Sequence, residues 1–394
     1  MNRLQQIPSG SRKERILNLL GGLKGHLLSL MIGGGLYLGY LLIRSSRHYT
    51  NMVLDNITTP YKRMMGALCE LLPISGMELA VVGTVLAIAA SLTVCIIRTI
   101  RGRNSRILII GRTVAGLAAA ALLIWDGYCW LWGLNYYGDS FSDKSGLEQL
   151  PVSTEALYQT TVYYAELANQ YAGLVSRDEN GIFNENLDSI FAMSDQIYAG
   201  IVQEYPFLDA PARTPKRMIA SELMSRINFT GVYFPFTSET NINDHAPSML
   251  IPSTIAHELA HQRGIAPEQE ANFVAVRACL TSGSDIYAYS GALLAYIYLG
   301  NALYEADPES WKTIYATLSD DVRADLTANN RYWEEYQTSE AKAAESVYTA
   351  FLSSYDQQLG MKSYGACVDL LVADYTEQIR AEETNYLENV SGVS

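Results

Sequence analysis

Cysteine is scarce. Five in 394 residues cannot supply a disulfide framework. Cys69, Cys95 and Cys129 fall in or near the most apolar part of the chain, which leaves Cys279 and Cys367 as one possible bridge. Acidic residues are nearly missing from the first 106 positions, which hold 13 Lys+Arg against 4 Asp+Glu; the remainder holds 15 against 37. The two parts therefore carry +9 and −22, the −13 of the whole chain. An imbalance of that size implies two environments or two partners. It makes nucleic acid a poor partner for the −22 part, which would instead attract a cationic peptide. No internal repeat is present.

What the basic part has is long apolar runs. Gly25 to Ile43 and Leu79 to Ile97 are each nineteen residues without an acidic or basic charge, His26 apart. A third run, Ile107 to Trp125, is broken only by Arg112 and leads into Trp125, Trp130 and Trp132. About 20 apolar residues cross the hydrocarbon core, and Arg112 is near enough to one end to snorkel. The expectation is three transmembrane helices at about 26–43, 79–97 and 107–125, with the lipid bilayer as a partner. The first run is too long, and lacks the A-x-A site, for a cleaved signal peptide. Arg98, Arg101, Arg103 and Arg106 place the loop between the second and third runs in the cytoplasm, together with the basic tail 1–25. The membrane region is then 26–132, and residues 133–394 form an extracytoplasmic domain of a multi-pass cell-membrane protein. One stretch conflicts with this topology. Arg44, Arg47, Lys62 and Arg63 lie in a loop that must be outside.

The outer part reads as mainly α. Helical spacing runs from Ser153 to about Tyr205, Pro206 to Pro215 is a proline-rich loop, and helix resumes after Asn243 to about Ala381. "NFTGVYFPF" (228–236) is strand-like, and Pro235, which cannot donate to a ladder, makes it an edge strand or the rim of a small sheet.

The most specific signal is "HELAHQRGIAPEQEANF", 257–273. His257 and His261 are one helical turn apart on one face, the spacing that lets two imidazoles hold one metal. With five histidines in the chain, an accidental H-E-x-x-H arises on the order of once in a few hundred such chains. Gly264 suits a left-handed helix end, and Pro252 and Pro267 suit helix starts. Glu268 and Glu270 are about 200° apart around the second helix, so only one can face the metal. The face of Glu268 continues with small residues and with Asn272, which can hydrogen-bond a ligand. Glu268 is therefore the expected third ligand, and the Glu270 face is expected to pack and carry a surface charge. Glu258 points about 100° away from His257 and is placed as general base. Three protein ligands and an open fourth position describe a catalytic Zn2+ site. His245, upstream of the motif helix, is expected to be solvated or to cap, ahead of lining the cleft.

The pattern resembles the gluzincin class of zinc metallopeptidases, with the short His261–Glu268 spacing of compact minigluzincins and with Asn272 where an acid is usual. Most of the chain also resembles a bacterial membrane family named domain of unknown function 3810, through "LLPISGMEL" (71–79), "WGLNYY" (132–137), "GVYFPFTSETNIN" (231–243), "HELAHQRG", "EQEANF", "YSG" (289–291) and "KSYG" (362–365). Thr240 stands where Ala is expected. Tyr289 and Tyr364, in these stretches, are candidates for stabilising an oxyanion. Val232 and Phe234 would pair an extended substrate by strand addition, and Glu239 would bind a substrate amine. The resemblance implies a zincin-like domain on three transmembrane helices, hydrolysing peptide bonds. Two alternatives stay open: a non-enzymatic envelope sensor or scaffold that kept the metal site, and a zinc hydrolase of non-peptide substrates. A scaffold has no use for Glu258 as a base.

Overall fold

Each of the three apolar runs folds as one helix long and apolar enough to cross a membrane. In the computed structural model, which describes residues 12–101, 106–147, 152–353 and 364–391, they are α1 (Arg12–Arg44), α4 (Gly76–Arg101) and α5 (Arg106–Leu131). Only 11%, 0% and 6% of their apolar windows are buried. Most of their side chains stay exposed on the outside of the helices, as suits helices apolar enough to face lipid. α1 packs along α5, and α4 also packs on α5.

Between α1 and α4 lie two shorter helices, α2 (Arg47–Val53) and α3 (Thr59–Glu70), joined by a π-helical turn over Leu54–Thr58. Three of the four basic residues that conflicted with the expected topology, all but Arg63, have partners in or beside the large domain. Arg44 donates to the Tyr137 hydroxyl at 2.8 Å, and Arg47 pairs with Asp143 at 3.1 Å. Lys62 is buried over the rings of Trp132 and Tyr233, 5.4 and 5.6 Å from their centroids. The positive-inside rule counts cations free to meet the membrane surface; these three are held by the large domain.

The large domain is mainly helical. α6 (Phe141–Ser145) leads to α7 (Thr154–Ala172), whose N-cap Ser153 accepts from the Ala156 N–H. The helix expected to continue to Tyr205 stops at Ala172. Asp178 accepts from the N–H groups of Asn180 and Ile182 and folds the chain back into an Arg177–Phe183 bridge. Helix returns only in short pieces, α8 (Leu187–Met193) and α9 (Ile201–Glu204). An Asx turn offers the backbone an alternative to the helix, and here it wins.

The sheet has three strands, β1 (Lys216–Arg217), β2 (Gly231–Phe234) and β3 (Glu239–Ile242), in the order β1-β3-β2. β2 pairs antiparallel to β3, with Val232 opposite Asn241, and forms the outer strand; Pro235 follows its last residue. A short α10 (Ser221–Arg226) precedes β2. Then come α11 (Ile251–Gln262), α12 (Glu268–Leu280) and α13 (Asp285–Ala306). α13 is buried on most of its faces and packs against α7, α11 and α12. Tyr287 and Leu299 of α13 and Phe273 of α12 are fully buried, and a Leu or Phe side chain contributes about 1.5–3 kcal/mol on leaving water. α14 (Pro308–Thr317), α15 (Asp320–Glu335), α16 (Ser339–Ser353) and α17 (Tyr364–Ser391) complete the chain. Cys279 and Cys367 are both buried free thiols, so the one possible bridge is not formed.

Candidate metal centre

α11 starts at a proline-bearing first turn and ends where Gly264 takes φ +92°, a left-handed conformation that L side chains rarely adopt. Pro267 then caps α12, with Glu268 as its first residue. The tight joint brings α12 back across the histidine face of α11. Glu268 Oε2 lies 3.2 Å from His257 Nε2 and 3.6 Å from His261 Nε2. The potential ligand atoms of these three residues lie within 4.8 Å of one another. Two ligands of a tetrahedral zinc ion with 2.0–2.1 Å bonds stand about 3.3 Å apart, so the spacing suits such an ion.

Of the two imidazoles only His261 is oriented through its second ring nitrogen; His257 Nδ1 is buried without a hydrogen-bond partner. His261 Nδ1 is 2.6 Å from the Ile265 carbonyl. A carbonyl only accepts, so Nδ1 carries a proton and Nε2 is the nitrogen turned to the cavity. The Trp132 indole stands edge-on, 5.3 Å from the His261 ring. Burial works to raise the Glu268 carboxyl, but His261 and His257 overcome it and hold the group well below the usual carboxylate range.

Glu258 sits on the same helix and points elsewhere, towards β2. Burial pushes its carboxyl up to about 7, against the lowering influence of His257, while Glu268 adds to the rise. Its Oε2 is buried without a hydrogen-bond partner. Gly231 allows β2 this close: a Cβ there would stand 2.8 Å from Glu258 Cγ and Oε1. Thr240, on β3, reaches the Glu258 carbonyl at 3.4 Å. His257, Glu258, His261, Glu268, Asn272, Gly231, Val232 and Phe234 line one cavity of about 700 Å³.

Two residues proposed for the site from sequence lie elsewhere. Glu239 is buried in the sheet and accepts from the N–H groups of Gly76 and Met77, at 3.1 and 3.0 Å, so it caps the start of α4 and does not reach the cavity. Tyr289 is fully buried in the core, its hydroxyl bonded to Asp325 and its ring under Arg177. On the Glu270 face the charge expected at the surface, Arg277, is instead 13% exposed and paired with Glu204 and Asp374. Glu270 itself faces away from the histidines, as expected; it is 4% exposed and accepts from the N–H groups of Phe141 and Ser142, at 2.8 and 3.3 Å. Tyr364 is the first residue of α17, and its side chain lies outside the described residues. His245 is exposed, 3.9 Å from Glu222.

Sequence reasoning missed Tyr348. It projects from α16 into the cavity, donates a 2.6 Å hydrogen bond to Glu268 Oε1 and meets Phe229 edge-on. Nothing distinguishes it in sequence from the other 26 of 27 tyrosines. Trp132 had a signal, since it opens "WGLNYY". Lys62 had none.

The family described as "Protein of unknown function (DUF3810)" matches residues 49–372. No curated protein and no solved structure matches the chain.

Proposed function

The chain belongs to that family, whose description carries no activity, and from the site itself we propose that it is a membrane-anchored zinc metallopeptidase with the large domain facing out of the cytoplasm. The observation that carries this reading is the convergence of His257, His261 and Glu268 beside a buried glutamate with one unpartnered oxygen, at the wall of the same cavity. A structural site has no need of the second feature. Two imidazoles and a carboxylate suit zinc and leave a fourth position open. When bound, zinc polarises a carbonyl and lowers the pKa of its water.

The rest falls to the chain's own residues. His261, fixed by the Ile265 carbonyl, presents Nε2. Glu258 takes the proton of the attacking water and returns it to the leaving amine, a role suited to a carboxyl whose pKa lies near 7. β2 is the outer strand of its sheet and lines the cavity with Val232 and Phe234, so its edge can hold an extended peptide by strand addition. Asn272, one turn beyond Glu268 on α12, also lines the cavity.

Glu258→Gln tests the reading, because it keeps the shape and removes the base. Zinc content should stay at the wild-type level while cleavage of a degenerate peptide library, free or lipid-anchored, falls about 10²–10⁴-fold. Equal cleavage by both proteins would assign the activity to another site. Full zinc occupancy with no cleavage by either protein would favour a sensor or scaffold.

A further inference from the structure

The bilayer plane can be placed on this molecule twice, from independent features. The first is the α2–α3 stretch, which joins the end of α1 to the start of α4 and, carrying Arg47, Asp55, Lys62, Arg63 and Glu70, is too polar to cross. One side of it is packed on the protein through Val53, Thr58, Lys62 and Cys69. The other side exposes Met52, Ile57, Met64, Leu68 and Leu71, each 47–80% accessible. A non-spanning helical stretch with that stripe lies in the boundary between headgroups and acyl chains. The second feature is the end of α5, where Trp125 and Tyr128 stack at 5.9 Å and Trp125 is 41% exposed. Such aromatics mark the headgroup level.

The second marker lines the metal cavity, and the first adjoins it through Lys62 of α3, set over the Trp132 ring. Tyr128 and Trp132 line the cavity together with His257, His261 and Glu268, and Trp132 is the ring set against His261. The outer strand ends there as well. Phe236, two residues past β2, packs where a Cβ on Gly127 of α5 would be, 2.7 Å away, and its carbonyl accepts from Tyr61 of α3 at 2.8 Å. The strand edge suited to a substrate therefore runs down to the membrane surface, and the cavity opens beside it.

Given the peptidase reading on which this rests, we infer that the substrate is a polypeptide held at the bilayer by its own span or lipid anchor, and that it is cut within about ten residues of that anchor. Tyr128 and Trp132 are one helical turn apart, about 6 Å. Adding the Trp132–His261 contact and one headgroup layer gives a height that an extended chain, at about 3.3 Å per residue, covers in a few residues. A chain anchored in the same bilayer arrives already confined to the height of the zinc ligands, whereas a soluble peptide must find a cleft facing the membrane.

The test uses the full chain in phosphatidylcholine–phosphatidylglycerol vesicles. A degenerate peptide library is supplied free, or joined to a phospholipid through spacers of graded length, at equal total concentration. Wild type should cut the anchored library at least about tenfold faster than the free one, with cut sites concentrated within about ten residues of the lipid and sparse beyond about twenty. Glu258→Gln should cut both about 10²–10⁴-fold more slowly. Membrane concentration alone would speed every cut site alike, so a profile independent of distance from the anchor overturns the inference, as does equal cleavage of the free library. Both outcomes leave the peptidase reading standing. Zinc-loaded protein that cuts neither library overturns both.

Discussion

The hydroxyl of Tyr348 donates to Oε1 of Glu268, whose other oxygen, Oε2, faces His257 and His261. This bond ties α16 to the metal-site helix α12 and orients the carboxylate so that Oε2 points at both imidazoles. Partners of this kind typically affect metal affinity about 10–100-fold. Tyr348→Phe should weaken zinc binding by that factor in a chelator competition while leaving the unfolding temperature within a few degrees of wild type. Unchanged affinity would show that the bond does not support the ligand.

Glu268 and Glu270 should separate cleanly. Glu268→Ala removes the carboxylate shared by the histidines, and zinc content should fall strongly. Glu270→Ala should keep zinc but strand the N–H groups of Phe141 and Ser142, at about 1–3 kcal/mol for a buried unsatisfied donor. Metal analysis and thermal unfolding of the two purified variants read these outcomes; equal zinc loss in both would refute the arrangement of α12.

Glu239 should behave as a cap. Its replacement by Ala exposes the first N–H groups of α4 at a buried junction, costing about 1–3 kcal/mol. The unfolding temperature in detergent should drop, and KM for a cleaved peptide should not change. A raised KM with unchanged stability would return Glu239 to the substrate.

Lys62 should leave a signature in pH. Burial, with Lys144 nearby, pushes its ammonium down to about 7 from 10.5. Below the folded value both states hold the proton and the burial penalty is complete. Between about 7 and 10.5 the unfolded chain holds more protons than the folded one, so stability rises with pH across that window. Lys62→Met keeps the packed stem without the ionisable head. Unfolding temperatures measured from about pH 7 to 9 should climb for wild type and climb less for the variant; parallel curves would mean that Lys62 is not the group titrating.

How much was legible in sequence depended on distance along the chain. The three apolar runs announce helices long enough to cross a membrane because that property is summed locally over some twenty residues. The helix, turn and helix around 257–273 were equally legible. Helical period, a glycine able to take positive φ and two prolines are properties of neighbours, and they place His257, His261 and Glu268 on facing sides of one joint and Glu270 behind it. Even the outer-strand position of 231–234 follows from local composition and the proline after it.

Tertiary structure decided the residues whose partners are far away in sequence. Tyr348 reaches Glu268 across 80 positions and Glu239 reaches Gly76 across 163. Tyr289, in a stretch that resembles the family, turned into the core to meet Asp325. No periodicity encodes such pairings, because they arise only when helices pack and buried polar groups must find partners. The basic loop between α1 and α4 shows the same division. Its charges were countable from sequence, but whether a cation meets lipid phosphate or a tyrosine hydroxyl, as Arg44 does with Tyr137, depends on which surface the fold brings within reach.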